Sequence, residues 1–423
     1  MMNGFTLDFF TPFLLLLGGT VKHVSVISAL PNFFASFIQL KSPDIAEKFK
    51  SRKKVIKIFV LLQALMLIPM LVSFSFGSWR LTVYISTLVL FTSFGSFIMP
   101  PWGSIMADLV ESTKRGEYFG WRNKMLGLVT IASSFAAGFI LHQMQKIDIF
   151  LGFSVIFALA FVFRLISWNY LNKMHEPHQV HKDEDYFSIW DFMSKFNKSN
   201  FARFVIFVSI IKFCVNIASP FFAVLMLRDL KFGYLTYVMI TVAAALASNF
   251  SIKRWGMHAD KIGNLKVLRF TSHLVAFIPL LWLLNQNPIF LFVVQVFSGF
   301  SWAGFNLSAS NFIYDASTPG KRTRCIAYYN FFVGLSLCSG ALLGGFLAQR
   351  VPAGFFTHSL MNIILLSAVL RLLVAFVMPF NLKEVREVKK IRNHQLFFSM
   401  LSIKPAIETA TVRGERQKRF FFF

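Results

Sequence analysis

Runs of about 20 predominantly apolar residues recur along this chain, each long enough as a helix to cross about 30 Å of hydrocarbon. In lipid every backbone N–H and C=O needs a partner within the protein, so such a run is a helix or a strand of a closed barrel. The apolar–polar alternation of barrel strands is absent. Charged residues make up only 15% of the 423, against about 25% in a soluble domain. The chain is therefore read as an all-α membrane protein of about twelve spans. They are expected at 4–18, 22–41, 55–77, 81–106, 125–145, 147–171, 200–228, 231–252, 267–286, 288–314, 326–349 and 354–380. The 54 Phe suit a surface that faces lipid.

A net charge of +24 suggests nucleic acid until its distribution is seen. About three quarters of the Lys and Arg fall in or beside alternate loops and the C-terminal tail, the pattern of the positive-inside rule. Those loops and both termini are expected in the cytoplasm, and the protein in the plasma (cytoplasmic) membrane. The basic balance thus reports topology, and by itself gives no evidence for an anionic solute. Cys214, Cys325 and Cys338 have no paired spacing, so no disulfide framework is expected. Met1 to Asp8 carries no basic stretch and reads as the start of a membrane segment, not a cleaved signal.

The organisation expected is a six-helix bundle over 1–171, a cytoplasmic linker over 172–199, a second six-helix bundle over 200–380 and a basic tail over 381–423. The halves are related in sequence. Asp108, Lys114-Arg115, Asn123 and Arg164 recur 207 residues later as Asp315, Lys321-Arg322, Asn330 and Arg371. Thr11-Pro12-Phe13 recurs as Ser219-Pro220-Phe221 at an offset of 208. An even helix number per half implies parallel repeats. In that register the first helix reads as short by roughly two turns at 3.6 residues per turn.

After the eighth segment comes Gly256-Met-His-Ala-Asp260-Lys261-Ile-Gly263-Asn-Leu-Lys266. Between the second and third helices of a half, this resembles the G-x-x-x-D-[RK]-x-G-x-x-[RK] loop of the major facilitator superfamily. The first-half counterpart is degenerate, with Pro43, Glu47, Lys48, Lys50 and Lys53 at the corresponding positions and both glycines missing. The resemblance covers about residues 4–380. It implies two bundles rocking about a central site lined by helices 1, 4, 7 and 10. Pro100-Pro101-Trp102-Gly103, Pro220, Gly299 and Gly304 fit those segments.

Lys212 is the most informative residue. It lies about 18 Å along its helix, near mid-membrane, where a charge by default faces the interior or water. Asn216 is one turn on, and Asp8 is its repeat partner. An Asp8–Lys212 charge pair across the cavity is expected; structural pairing of Lys212 is the bland alternative. Gln295, Ser298, Trp302 and Asn306 form one stripe on the tenth helix. It serves either a cavity wall or interhelical hydrogen bonding. Trp102 is a further cavity candidate. Asp108, Arg115, Asp315 and Arg322, with the Gly256–Lys266 loop, are candidates for an inner gate; interfacial snorkelling and topology signalling by the Asp and Lys-Arg groups are the alternative. Arg164 and Arg371 read as snorkelling cations. His175, His178 and His181 read as part of a solvated linker, followed by an interfacial helix carrying Tyr186, Ile189, Trp190, Met193 and Phe196.

No G-x-x-x-x-G-K-[ST], H-E-x-x-H or G-x-S-x-G motif occurs. The expectation is a transporter, not an enzyme, with no cofactor or resident metal. It acts as a monomer on a small solute, coupled or not to H⁺ or another ion. A lipid flippase, or a receptor or scaffold on the same fold, is the alternative.

Overall fold

The computed structural model describes residues 1–48, 51–110, 115–174, 176, 192–193, 199–317, 322–352 and 356–385. No β-strand occurs among them. Among the described residues twelve main helices follow one another: α1, in three pieces (Met2–Thr6, a 3-10 turn Leu7–Phe9, Phe10–Leu16); α2, Val21–Lys48; α3, Arg52–Leu65 continued by Leu67–Leu71; α4, Arg80–Leu109, entered through a 3-10 segment, Ser73–Trp79; α5, Arg115–Met144; and α6, Ile149–Asn172. The second half has α7, Asn200–Ala218, with a distorted extension to Asp229; α8, Tyr234–Ile262; α9, Asn264–Leu284; α10, Pro288–Asp315; α11, Arg322–Arg350; and α12, Ser359–Val377. Among the described residues, eleven of these, α2 to α12, contain stretches long and apolar enough to cross a membrane. The chain is a multi-pass membrane protein.

Several helices outrun their apolar runs. α5 and α11 begin about ten and four residues before the expected starts, and α8 continues through Lys253–Ile262. The apolar run measures hydrocarbon thickness, whereas backbone hydrogen bonding continues through Lys, Arg, Ala and Met, which are good helix formers. The Gly256–Lys266 stretch is thus mostly helix. Its break is Gly263, at φ +93°, where a Cβ would also stand 2.3 Å from Glu384 Oε2; only glycine fits. α7 distorts at Ser219–Phe221 because Pro220 has no N–H to donate and its ring crowds the preceding turn. In α1, Pro12 falls in the first turn of Phe10–Leu16, where proline is tolerated.

The repeat is visible in the packing. Phe13 and Phe221, from the paired Thr-Pro-Phe and Ser-Pro-Phe, are both core residues, 1% and 0% exposed. Phe13 meets Tyr84 and Phe157 edge-on at 5.1 and 5.2 Å. Glu176 and Glu384 are also 208 apart, and each follows the sixth helix of its half. The Ser51 hydroxyl and the Lys53 amide donate to Glu176 at 2.7 and 3.2 Å, at the start of α3. The Leu265 amide donates to Glu384 at 2.8 Å, at the start of α9. Each carboxylate thus caps the third helix of its own half.

Two seams join the halves, α2 on α11 and α5 on α8. Added Cβ atoms at Gly334 and Gly345 of α11 would fall 2.0 and 2.2 Å from the Ser36 and Ser25 hydroxyls of α2. At Gly127 and Gly138 of α5 they would fall on Asn249 and Val238 of α8. Small residues at such crossings let membrane helices approach closely. We call the end of the bundle carrying the 172–199 linker the linker end, and the other the far end. Two contacts cross between the halves at the far end: Phe10–Leu16 of α1 meets Phe222–Val224 of the α7 extension, and Phe153 of α6 meets Tyr234 of α8 at 5.8 Å.

Most of the linker and the tail beyond 385 lie outside the described residues, including the three histidines and the Tyr186–Trp190 part of the expected interfacial helix. Of that face Met193 is described and is 39% exposed. Its neighbour Phe192 is 6% exposed and packs on Phe201, Tyr328 and Phe332, anchoring that point of the linker to α7 and α11.

Candidate functional site

The centre of the second half brings together three residues singled out from sequence. Lys212 of α7 donates from Nζ to Asn306 Oδ1 of α10 at 3.2 Å. The same ammonium stands 4.3 Å from the Trp302 ring centroid and 5.6 Å from that of Phe305. Trp302 and Asn306 are four residues apart, so one helical face supplies both the π surface and the amide. Gln295 is half-buried two turns toward the far end of the same stripe.

Other candidates lie elsewhere. Trp102 of α4 is stacked under the Arg122 guanidinium of α5 at 4.0 Å. Asn216 is 7% exposed and donates to Leu337 O of α11 at 2.6 Å; it serves helix packing and does not extend the Lys212 surface. Asp8 accepts from the Ser134 hydroxyl of α5 at 3.0 Å, and its backbone carbonyl accepts from the Tyr237 hydroxyl of α8 at 2.7 Å. The expected Asp8–Lys212 ion pair is not made in this conformation. Gly4 lies directly on Thr130 O and Ser133 of α5, which sets α1 against α5 and turns the carboxylate to Ser134.

Arg371 does not snorkel. It is 3% exposed, bonded through Nη2 to Val215 O at 3.1 Å and through Nε to Ser367 Oγ at 3.0 Å. Arg164 is half-buried and donates to Gln63 of α3. Sequence depth alone misplaces both, because a long side chain near a helix end follows whichever polar partner the neighbouring helix offers.

At the linker end, Gly256 is half-buried, Asp260 and Lys261 are exposed and Lys266 is half-buried. Asp315, ending α10, accepts from Asn264 Nδ2 at 2.7 Å, which ties α10 to the α8–α9 turn. The side chains of Asp108, Arg115 and Arg322 lie outside the described residues. The sequence reading missed Glu176, Glu384, Asn264, Ser134 and Tyr237. Only the two glutamates had a signal, their 208-residue spacing. A cleft at the linker end of the first half, lined by Lys53, Ile56, Ile105, Leu171 and Met174, has a cavity volume of only about 10 Å³, far below the roughly 300–1,000 Å³ of a solute pocket.

Tyr237 bridges the two halves, and its removal tests that bridge. Tyr237→Phe deletes one hydrogen bond between α8 and α1, so the folded protein should lose about 1 kcal/mol. Thermal unfolding in detergent would report it as a lower midpoint; an unchanged midpoint would show that the bond does not hold the halves together.

No curated protein sequence matches the chain. Solved structures do. The nucleoside transporter NupG aligns at 14% identity, covering 90% of this chain and 96% of that one, with a TM-score of 0.65. A bacterial homologue of the iron transporter ferroportin, in an inward-facing state, aligns at 12% identity over 89% and 93%, with a TM-score of 0.67. A bacterial homologue of the human lysosomal transporter Spinster, inward-facing and unoccupied, aligns at 13% over 90% and 95%, with a TM-score of 0.62. At such identities the likeness is one of fold. The family profile described as Major Facilitator Superfamily matches residues 1–254 and again 204–414. With a profile match in each half, the two-bundle repeat and the Gly256–Lys266 turn in place, the chain belongs to the major facilitator superfamily.

Proposed function

We propose that this protein is a secondary transporter of a small solute that works by alternating access, with Lys212, Trp302 and Asn306 at its solute site. The observation that carries this reading is an intramembrane cation on α7 sharing one amide and one indole face with α10, beside seams of small residues on which two halves can rock. Membrane charges of this kind mark solute or ion pathways. The structures similar to this one are named for cargoes as unlike as nucleosides and iron, so the fold does not choose the solute. The charge pattern supports a cytoplasmic linker end in the plasma membrane. The far-end contacts between the halves support reading this conformation as closed to the outside. Asp8 is the candidate for ion coupling.

Pulsed electron-spin distance measurements test the motion without a solute. Labels at Leu109 and Tyr314 report the linker end, and labels at Ile147 and Ile289 the far end; all four sites are exposed. Alternation predicts two distance populations at each end, the long one at one end pairing with the short one at the other. A single unchanging distance at both ends in bilayers would sink the reading and favour a receptor or scaffold.

A further inference from the structure

This inference deepens the reading of Lys212 as part of the solute site and rests on it. The contacts of the Lys212 ammonium are an amide oxygen and two aromatic rings, all neutral. No carboxylate among the described residues lies within 4.0 Å of it. A second cation is close by: Arg371 of α12 holds Val215 O, one turn along α7 from Lys212, and its other partner is the Ser367 hydroxyl. Those partners are neutral too. The carboxylate of α1, Asp8, is engaged with Ser134. The core of the second half therefore carries two cations with no anion between them.

Lys212 is half-buried and Asn306 exposed, so the ammonium borders open space, and a cation inside a membrane bundle without a counter-charge is costly. An amide and a π face recover part of that cost. An ammonium has three donors, and Asn306 takes one. The remaining donors stand beside Trp302, a large apolar surface. We propose that the solute is a small organic anion whose carboxylate or phosphate oxygens meet Lys212 Nζ and whose apolar body lies along Trp302. The net charge of the chain plays no part in this, since those cations sit in the loops; the assignment rests on one uncompensated charge in mid-membrane.

The test uses the full chain in lipid nanodiscs and four probes with one phenyl body: benzoate, phenyl phosphate, benzamide and benzylamine. Binding is read by thermal unfolding and by tryptophan fluorescence. Benzoate or phenyl phosphate should bind about 10- to 100-fold tighter than benzamide, the factor that a charge-assisted hydrogen bond of about 1.5–3 kcal/mol supplies. Whichever of the two binds tighter names the head group, and either supports the proposal. Lys212→Met should remove the preference while keeping the fold, since it trades a buried cation for an apolar chain of similar length. Lys212→Arg should retain it, and supplies the control should the Met variant unfold. Equal or tighter binding of benzamide or benzylamine would overturn the proposal. So would a preference that survives Lys212→Met, or no binding by any probe to a protein whose two ends still alternate in distance. Loss of alternation itself would instead count against the transport reading.

Discussion

Alanine at both Gly340 and Gly344 will push α11 off α7 and lower the stability of the fold by about 2–5 kcal/mol. A Cβ at Gly344 would stand 2.1 Å from Ile217 O, and one at Gly340 would stand 2.5 Å from Phe213 O. The usual close approach of carbon to a carbonyl oxygen is about 3.3–3.6 Å. Both obstacles are backbone atoms and cannot swing aside as a side-chain tip would. The helices must separate, and the Asn216–Leu337 bond of 2.6 Å goes with them. Membrane helices associate through such packing, since lipid is as apolar as leucine. Overpacking costs about 1–3 kcal/mol per site. One separation relieves both clashes, so we expect about 2–5 kcal/mol for the pair, a large share of a typical 5–15 kcal/mol. Gly103→Ala is the control: nothing lies within 4 Å of its added Cβ, and losing glycine from a helix gains up to about 1 kcal/mol. Melting curves and the monodisperse fraction in detergent decide it. A double variant that melts with Gly103→Ala would mean that the two helices are not in such close contact.

The second large effect concerns the paired glutamate caps. Glu176→Gln with Glu384→Gln removes a carboxylate from the N-terminus of α3 and of α9. A charge-assisted hydrogen bond is worth about 1.5–3 kcal/mol and a helix N-terminus favours negative charge by about 0.3–1. Discounted for partial exposure, about 1 kcal/mol should be lost at each end. Hydrogen exchange at the Lys53 and Leu265 amides should quicken about 5-fold, while amides at the seams stay unchanged. Quickening at the seams instead would assign the glutamates to joining the halves. Glu176 also carries a pH signature. Burial works to raise its pKa, but the Ser51 hydroxyl, the Lys53 and Arg52 amides and the Arg52 guanidinium outweigh it and hold the carboxyl below its ordinary value of 4.5. A depressed carboxyl stabilises the fold fully above that ordinary value and loses its contribution as pH falls through the folded-state pKa. The stability gap between the native protein and Glu176→Gln should therefore be constant above 4.5 and close on acidification below it. A gap that persisted in strong acid would show that the glutamate acts by shape and not by charge.

Sequence and structure divide the credit along a physical line. One-dimensional patterns determined the spans, the two halves and the family, because crossing lipid demands length and apolarity, and both can be counted along a chain. They also singled out Lys212, Trp302 and Asn306, which the fold brings together, since a mid-membrane charge and a three-to-four-residue stripe are visible in one dimension. The 208-residue offset held the glutamate caps in view, unread, because a solvent-side carboxylate has no signature until a helix N-terminus is placed beside it. Only the tertiary structure decided who meets whom. Asp8 went to Ser134 and Tyr237, Asn216 to α11, and Arg371 into the bundle core, because a polar side chain in lipid takes the nearest partner that helix packing brings within about 3 Å. That packing is set by where glycines let backbones approach: Gly4 on α5, Gly340 and Gly344 on α7, Gly334 and Gly345 on α2. A sequence shows the glycines, but which neighbouring helix fills each gap is a property of the folded bundle alone.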